Sequence, residues 1–128
     1  MNLLILALIL QFQVASGTLA TSADCATPAD SCVKLQLDSN VKSAVVQVTG
    51  QFAGDVRFEG SIDNSTYNWI PVTGKRLGAA SPVSSKLING TTGTGVFVVD
   101  VAGLLAIRVR ADSLTFGLPQ IIVRQATN

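Results

Sequence analysis

Residues 43–72 read SAVVQVTGQFAGDVRFEGSIDNSTYNWIPV, and their pattern decides the fold class. Residues 44–49 are dense in Val, and Gly50 closes the run. Val56 and Phe58 alternate with Arg57 and Glu59 in a second run that continues through Ile62. Branched or aromatic side chains two apart describe a half-buried strand, because successive side chains on a strand point to opposite faces. Asp63, Asn64 and Ser65 supply a polar turn, after which Trp69, Ile70 and Val72 resume strand composition. The spacing predicts a hairpin with a loop longer than two residues.

The same period extends outward in both directions. Upstream, Val33, Leu35 and Leu37 alternate with Lys34, Gln36 and Asp38. Downstream, residues 96–101 (VFVVDV) form a strand, Ala102-Gly103 turns, and Leu105, Ile107 and Val109 alternate with Ala106, Arg108 and Arg110. A last run, QIIVR at 120–124, follows Leu118-Pro119. Between them residues 73–95 are rich in Gly, Ser and Thr, with Pro82 and the turn pair Asn89-Gly90, and predict at most short edge strands. No stretch sustains a helical period. The expected fold is all-β, an antiparallel β-sandwich of jelly-roll-like type, with residues 1–30 as an apolar N-terminal arm and entry loop and residues 31–128 as the sandwich domain. Its expected core is Val33, Leu35, Val46, Val48, Phe58, Trp69, Phe97, Val99, Ile107, Val109 and Ile122.

Composition narrows the function. The chain has 128 residues, of which 13% are charged, and a net charge of +1, so it generates no field to gather nucleic acid or anionic lipid. Its basic residues form no run, and a nucleic-acid partner is not expected. There is no His and only two Cys, which removes imidazole bases, Cys-His and Ser-His-Asp arrangements and the usual zinc sets. Eight carboxylates remain without an evident catalytic pair. The reading is of a non-enzyme with no cofactor and no metal. Asp63, Asn64 and Ser65 are too few oxygen ligands for calcium and lack EF-hand spacing, so they are read as a turn. Asn64-Ser65-Thr66 and Asn89-Gly90-Thr91 match the N-glycosylation pattern, which Ser- and Thr-rich loops generate by chance.

The remaining candidates concern contacts. Cys25 and Cys32 bracket CATPADSC, the wrong spacing for a redox or zinc pair; a local disulfide and two free thiols both fit. Arg108 and Arg110 share one sheet face, where they either clamp a carboxylate or phosphate of a partner or form an outer face paired with Glu59 or Asp100; the second is the commoner arrangement. Lys75 and Arg76 sit in the long loop region, where partner contacts are readily built. Tyr67 and Trp69 offer a stacking platform for a sugar ring, against which stands the expectation that Trp69 packs in the core.

Residues 43–72 followed by GVFVVDVAGLLAIRVRADS at 95–113 resemble a β-sandwich module of tailed-bacteriophage virion proteins. The similarity lies in the Val-rich strand closed by Thr49-Gly50, in Phe58-Glu59-Gly60-Ser61 leading to Asp63, in Trp69, in Asp100-Val101-Ala102-Gly103 and in Arg108-Val109-Arg110. It covers about two thirds of the chain. It departs in the turn, Asn64-Ser65-Thr66 without Gly, and before the last strand, at Phe116-Gly117-Leu118-Pro119. The resemblance implies a virion structural protein: a capsid decoration or cement protein, a fibre or a tail component. Such a protein would contact the major capsid or tail protein and work as a homo-oligomer, a trimer among the options. The alternative is a secreted or surface carbohydrate-binding module.

The chain opens MNLLILALIL. As a signal peptide this has small residues at Ala15, Ser16 and Gly17 for cleavage but no Lys or Arg in its first thirteen positions. It is too short to span a membrane, which takes about 20 apolar residues. Leu10, Phe12 and Val14 alternate with Gln11, Gln13 and Ala15, which is strand patterning. The segment is therefore read as an arm that ends in a strand and packs on neighbouring subunits or on its own sandwich, with Leu3, Leu6, Leu10 and Phe12 as contact residues. Virion localisation follows from that reading and secretion from the alternative.

Overall fold

The computed structural model describes residues 14–20, 25, 32–63, 68–78, 83–84, 86–88 and 94–126. They contain eleven strands: β1 (Val14–Thr18), β2 (Val33–Gln36), β3 (Ser43–Thr49), β4 (Phe52–Ser61), β5 (Ile70–Pro71), β6 (Gly74–Arg76), β7 (Val83–Ser84), β8 (Lys86–Ile88), β9 (Gly95–Asp100), β10 (Ala106–Gly117) and β11 (Gln120–Ala126). The alternation in the sequence sets the inner faces. Ala44, Val46 and Val48 of β3 are fully buried while Gln47 between them is exposed.

Two antiparallel sheets face each other. The first has the order β1-β11-β3-β9-β6-β7; the second has β2-β10-β4-β5, with β8 also pairing with β4. Phe97, Val99, Ile121 and Val123 join the β3 residues on one inner face, and Val33, Leu35, Val56, Phe58, Ile107 and Val109 form the other. Phe58 and Phe97 meet across the core, with ring centroids 5.6 Å apart. The chain thus forms the expected all-β sandwich. Among the chain's changes of sheet are those from β3 to β4, from β9 to β10 and from β10 to β11.

These crossings define two ends. At one, the glycine end, Gly50 and Gln51 join β3 to β4, and Leu118 and Pro119 join β10 to β11. Gly117 there has φ +87°, and a Cβ on it would run into the Gln51 carbonyl. Gly54 has φ +147°, and its Cβ would overlap Ser113. Only glycine takes these conformations without strain, and both sit beside the register shifts of β10 against β4 at Ala111/Ser113 and Leu114/Phe116. At the opposite end, the hairpin end, β4 turns into β5, residues 37–42 lead into β3 and residues 101–105 into β10. Gln125 is buried there and exchanges hydrogen bonds with Asp38: its Nε2 donates to Oδ2 at 2.8 Å, and the Asp38 N–H donates to Oε1 at 3.1 Å.

Several expectations change. Trp69 is only half-buried and lies outside the core, and Ile122 is 44% exposed. In QIIVR the inward parity belongs to Ile121 and Val123, so the second Ile of the pair faces out. β10 continues to Gly117, well past the alternating run. Within residues 73–95, β7 and β8 are short, as expected, but β6 lies inside its sheet between β9 and β7. The end of the stretch read as an arm is β1, paired with β11 of the same sandwich, and Leu19 just after it is fully buried. Sandwich structure therefore includes residues 14–20.

Cys25 and Cys32, 7 positions apart, are joined by a disulfide in the connection from β1 to β2. Closing so short a ring removes unfolded-state entropy equivalent to about 2.5 kcal/mol. Reduction should lower the unfolding free energy by that order in paired urea titrations with and without a thiol reductant. Phe58→Ala should cost about 3–5 kcal/mol in the same assay, since it empties the centre of the core. Ile122→Ala should cost under about 1 kcal/mol, since its side chain is on the surface.

Candidate functional site

The outer face of the second sheet carries the densest polar cluster in the described residues. Strand parity builds it: Ile107, Val109 and Ala111 point inward from β10, so Arg108, Arg110 and Asp112 point outward. On β4, Val56 and Phe58 point inward and Arg57 and Glu59 outward. The register sets Arg108 directly opposite Glu59 and Arg110 opposite Arg57, and on the other flank Lys34 of β2 faces Arg108.

Glu59 is the hub. Arg108 Nε donates to Oε1 at 2.8 Å; Arg110 donates from Nε to Oε1 at 2.9 Å and from Nη2 to Oε2 at 3.2 Å. Asp112 extends the chain, 3.4 Å from Arg110 Nη1 and 3.3 Å from Arg57 Nη2. Glu59 and Arg108 are buried even though they are on the outer face. Part of their cover is Trp69, which leads into β5 and stands over Arg108 with 4.4 Å between the guanidinium carbon and the ring centroid. The Lys34 ammonium approaches the same ring at 6.0 Å. The loop carrying Trp69 is held at its base, where Ser61 Oγ donates to Asp63 Oδ1 at 3.0 Å and Asn68 Nδ2 donates to Asp63 Oδ2 at 2.6 Å.

Burial would raise the Glu59 pKa, but the hydrogen bonds and positive charges of Arg110 and Arg108 outweigh it and hold the carboxyl below its ordinary value. Arg110 is shifted up by its hydrogen bond to Glu59 against the opposing effect of burial. Both groups stay charged across the physiological range. A carboxylate fully engaged by two guanidiniums is not available as a base or nucleophile.

The structure joins Arg108 and Arg110 to Glu59, so within the cluster they bind inside their own chain. Asp100, the other expected partner, instead accepts the Ala102 N–H at 3.1 Å as a turn cap. Lys75 and Arg76 belong to β6 in the other sheet, away from this cluster. Lys75 is exposed, whereas Arg76 is half-buried, lies 5.4 Å from the Phe97 ring centroid and donates to the Thr94 carbonyl. Trp69 is on the surface with one ring face turned to Arg108, so a sugar would have to use the other. Tyr67, Leu3, Leu6, Leu10 and Phe12 lie outside the described residues. Reading the sequence missed Lys34, Arg57 and Asp112. The signal for Arg57 was there, since it stands two positions from Glu59 as Arg108 does from Arg110.

Among the described residues no group of three or more His, Cys, Asp or Glu could hold a metal, and no helix is long and apolar enough to cross a membrane. No protein-family model and no curated protein matches the sequence. Solved structures do match the fold. The SPBc2 prophage-derived protein YomS superposes with a TM-score of 0.62 at 15% identity, over 88% of this chain and 93% of that one. The PBSX exported protein XepA superposes with a TM-score of 0.64 at 16% identity, over 89% of this chain and 38% of that one. The chain thus spans nearly the whole of YomS and well under half of XepA. At these identities the likeness establishes the fold.

Removing the hub should show its energetic role. Glu59→Ala leaves the buried Arg108 and the half-buried Arg110 without their shared anion and should cost about 3–5 kcal/mol. The sign with pH follows from the lowered pKa: the contribution is complete above the ordinary Glu value of roughly 4.3 and is lost as pH falls through the lower folded value. Denaturation midpoints across that acidic range should therefore fall less steeply in Glu59→Gln than in the parent.

Proposed function

We propose that this chain is a non-enzymatic structural protein of a bacteriophage particle, and specifically a capsid decoration or cement protein. The observation that carries the reading is the coincidence of its fold, over almost the full length of both chains, with a prophage-derived protein. The resemblance of residues 43–72 and 95–113 to virion modules supports it from the sequence side. The cluster agrees: the most polar region of the described surface is an internally neutralised clamp, which suits a rigid scaffold better than a reaction site.

Such a protein works by binding. A module that attaches to the assembled shell and not to its free subunits stabilises the shell by mass action, and repetition over many symmetric copies multiplies a modest contact. Its partners are the major capsid or tail protein and further copies of itself, in a homo-oligomer such as a trimer, and its location is the virion.

A second reading, a carbohydrate-binding adhesion module on a tail fibre or secreted to the cell surface, is favoured by the position of Trp69 at the surface beside Lys34. Under it, polysaccharide pull-down would be saturable and lost in Trp69→Ala with the fold retained.

The test of the leading reading is deletion of the gene from the phage that carries it. Expected are particles that assemble but lose infectivity on heating faster than the parent, and recovery of the protein from purified parental virions by mass spectrometry. Unchanged heat resistance together with absence from purified virions would overturn it.

A further inference from the structure

The outer face of the first sheet is apolar where that of the second is charged. Val14 of β1, Ile122 of β11, Val45 of β3 and Val96 and Val98 of β9 stand at outward positions, since the alternate residues of these strands face the core. The register lines them up in two adjacent rows. One runs Val14, Arg124, Val45, Val98, Lys75 across β1, β11, β3, β9 and β6; the other runs Ser16, Ile122, Gln47, Val96. Leu77, just past β6, donates its N–H to the Val96 carbonyl at 2.9 Å and so extends the second row. Val14 is 42% exposed, Ile122 44% and Leu77 57%, and the other three valines are half-buried. Neither row contains a carboxylate. Hollows of about 270 and 380 Å³ open on this face, the first lined in part by Val98 and Lys75, the second by Ser16 and Ile122. Apolar residues this continuous on an outer face mark a surface that is covered in use.

We infer that residues 3–10 of the same copy cover it. Residues 1–13 read MNLLILALILQFQ, carry no Asp, Glu, Lys or Arg, and join the described structure at Val14, which is itself the first member of one row. Length matches the face. Four steps of about 4.8 Å between strands make each row about 19 Å long, and residues 3–10 in extended form span about 26 Å. Residues 11–13 remain to make the connection. Arg124 and Lys75 tolerate such a cover, because long basic side chains shield apolar neighbours with their methylenes while the charge stays in water.

Area selects the tethered segment over a second copy. Two such faces laid together, each roughly 19 by 14 Å in plan, bury roughly 500 Å² in all, well below the roughly 1,200–2,000 Å² of a stable interface. A segment of the same chain avoids most of the cost of association and is held near its site at an effective concentration on the order of millimolar. The inference stands apart from the virion reading, because it concerns a single copy.

Hydrogen exchange read by mass spectrometry on the full-length protein tests it. Expected are amides in residues 3–10 that exchange at least about tenfold more slowly than an unstructured chain, equally at low and high protein concentration. Ile122→Asp and Leu77→Asp, both at exposed positions on this face, should return the segment to the unstructured rate while β3 and β9 keep their protection. Phe116→Asp, exposed on β10 of the other sheet, should leave the segment slow. Protection that grows with concentration would assign the cover to a neighbouring copy and overturn the proposal. So would a segment that exchanges at the unstructured rate, protection indifferent to both face variants, or an intact mass showing residues 3–10 removed from the native protein.

Discussion

The contact of Phe58 with Phe97 across the inner faces is the constraint on which the rest depends. The described structure contains no helix to cover a sheet, so the two sheets must cover each other. Between bulges, each strand segment that contributes to the core then alternates inward and outward, and whatever stands at the alternate positions is driven outward whether or not it is comfortable in water. Glu59, Arg108 and Arg110 occupy such positions. Packing inside the sandwich places three charged groups within reach of one another, and their mutual hydrogen bonds allow Trp69 to fold down over them.

That sequence of causes explains what could be read in advance. The Val-rich run ending at Gly50, the Val56-Phe58 alternation and the Ile107-Val109 alternation all reported parity unambiguously, and each became a central strand. Reading failed where parity was doubled or broken. Ile121 and Ile122 are adjacent and equally apolar, and only the pairing of β11 with β3 decides which is buried. Trp69 follows a polar loop that resets the phase. β10 beyond Arg110 is invisible to a period of two because the bulges around residues 112 and 115 shift the phase twice. The cluster was half legible: a partner for Arg108 and Arg110 was foreseeable, but the choice of Glu59 over Asp100 required the strand register.

The proposed function rests on the fold and on what the molecule holds rigid. Its most engaged carboxylate is tied to two arginines, and its aromatic surface residue is tied to one of them. A scaffold organised this way presents shape. Its fold is similar to that of YomS over almost the full length of both chains and to part of the longer XepA.

The glycine end separates two kinds of evolutionary freedom. Gly54 and Gly117 admit no side chain, so the backbone there drifts little under mutation without loss of the fold. Phe116 and Leu118, between and beside these fixed points, contribute almost nothing to the core and are free to become any residue at little cost to folding. What this end presents is set by its two exposed side chains and its backbone by the two glycines, so surface and fold there are governed by different residues.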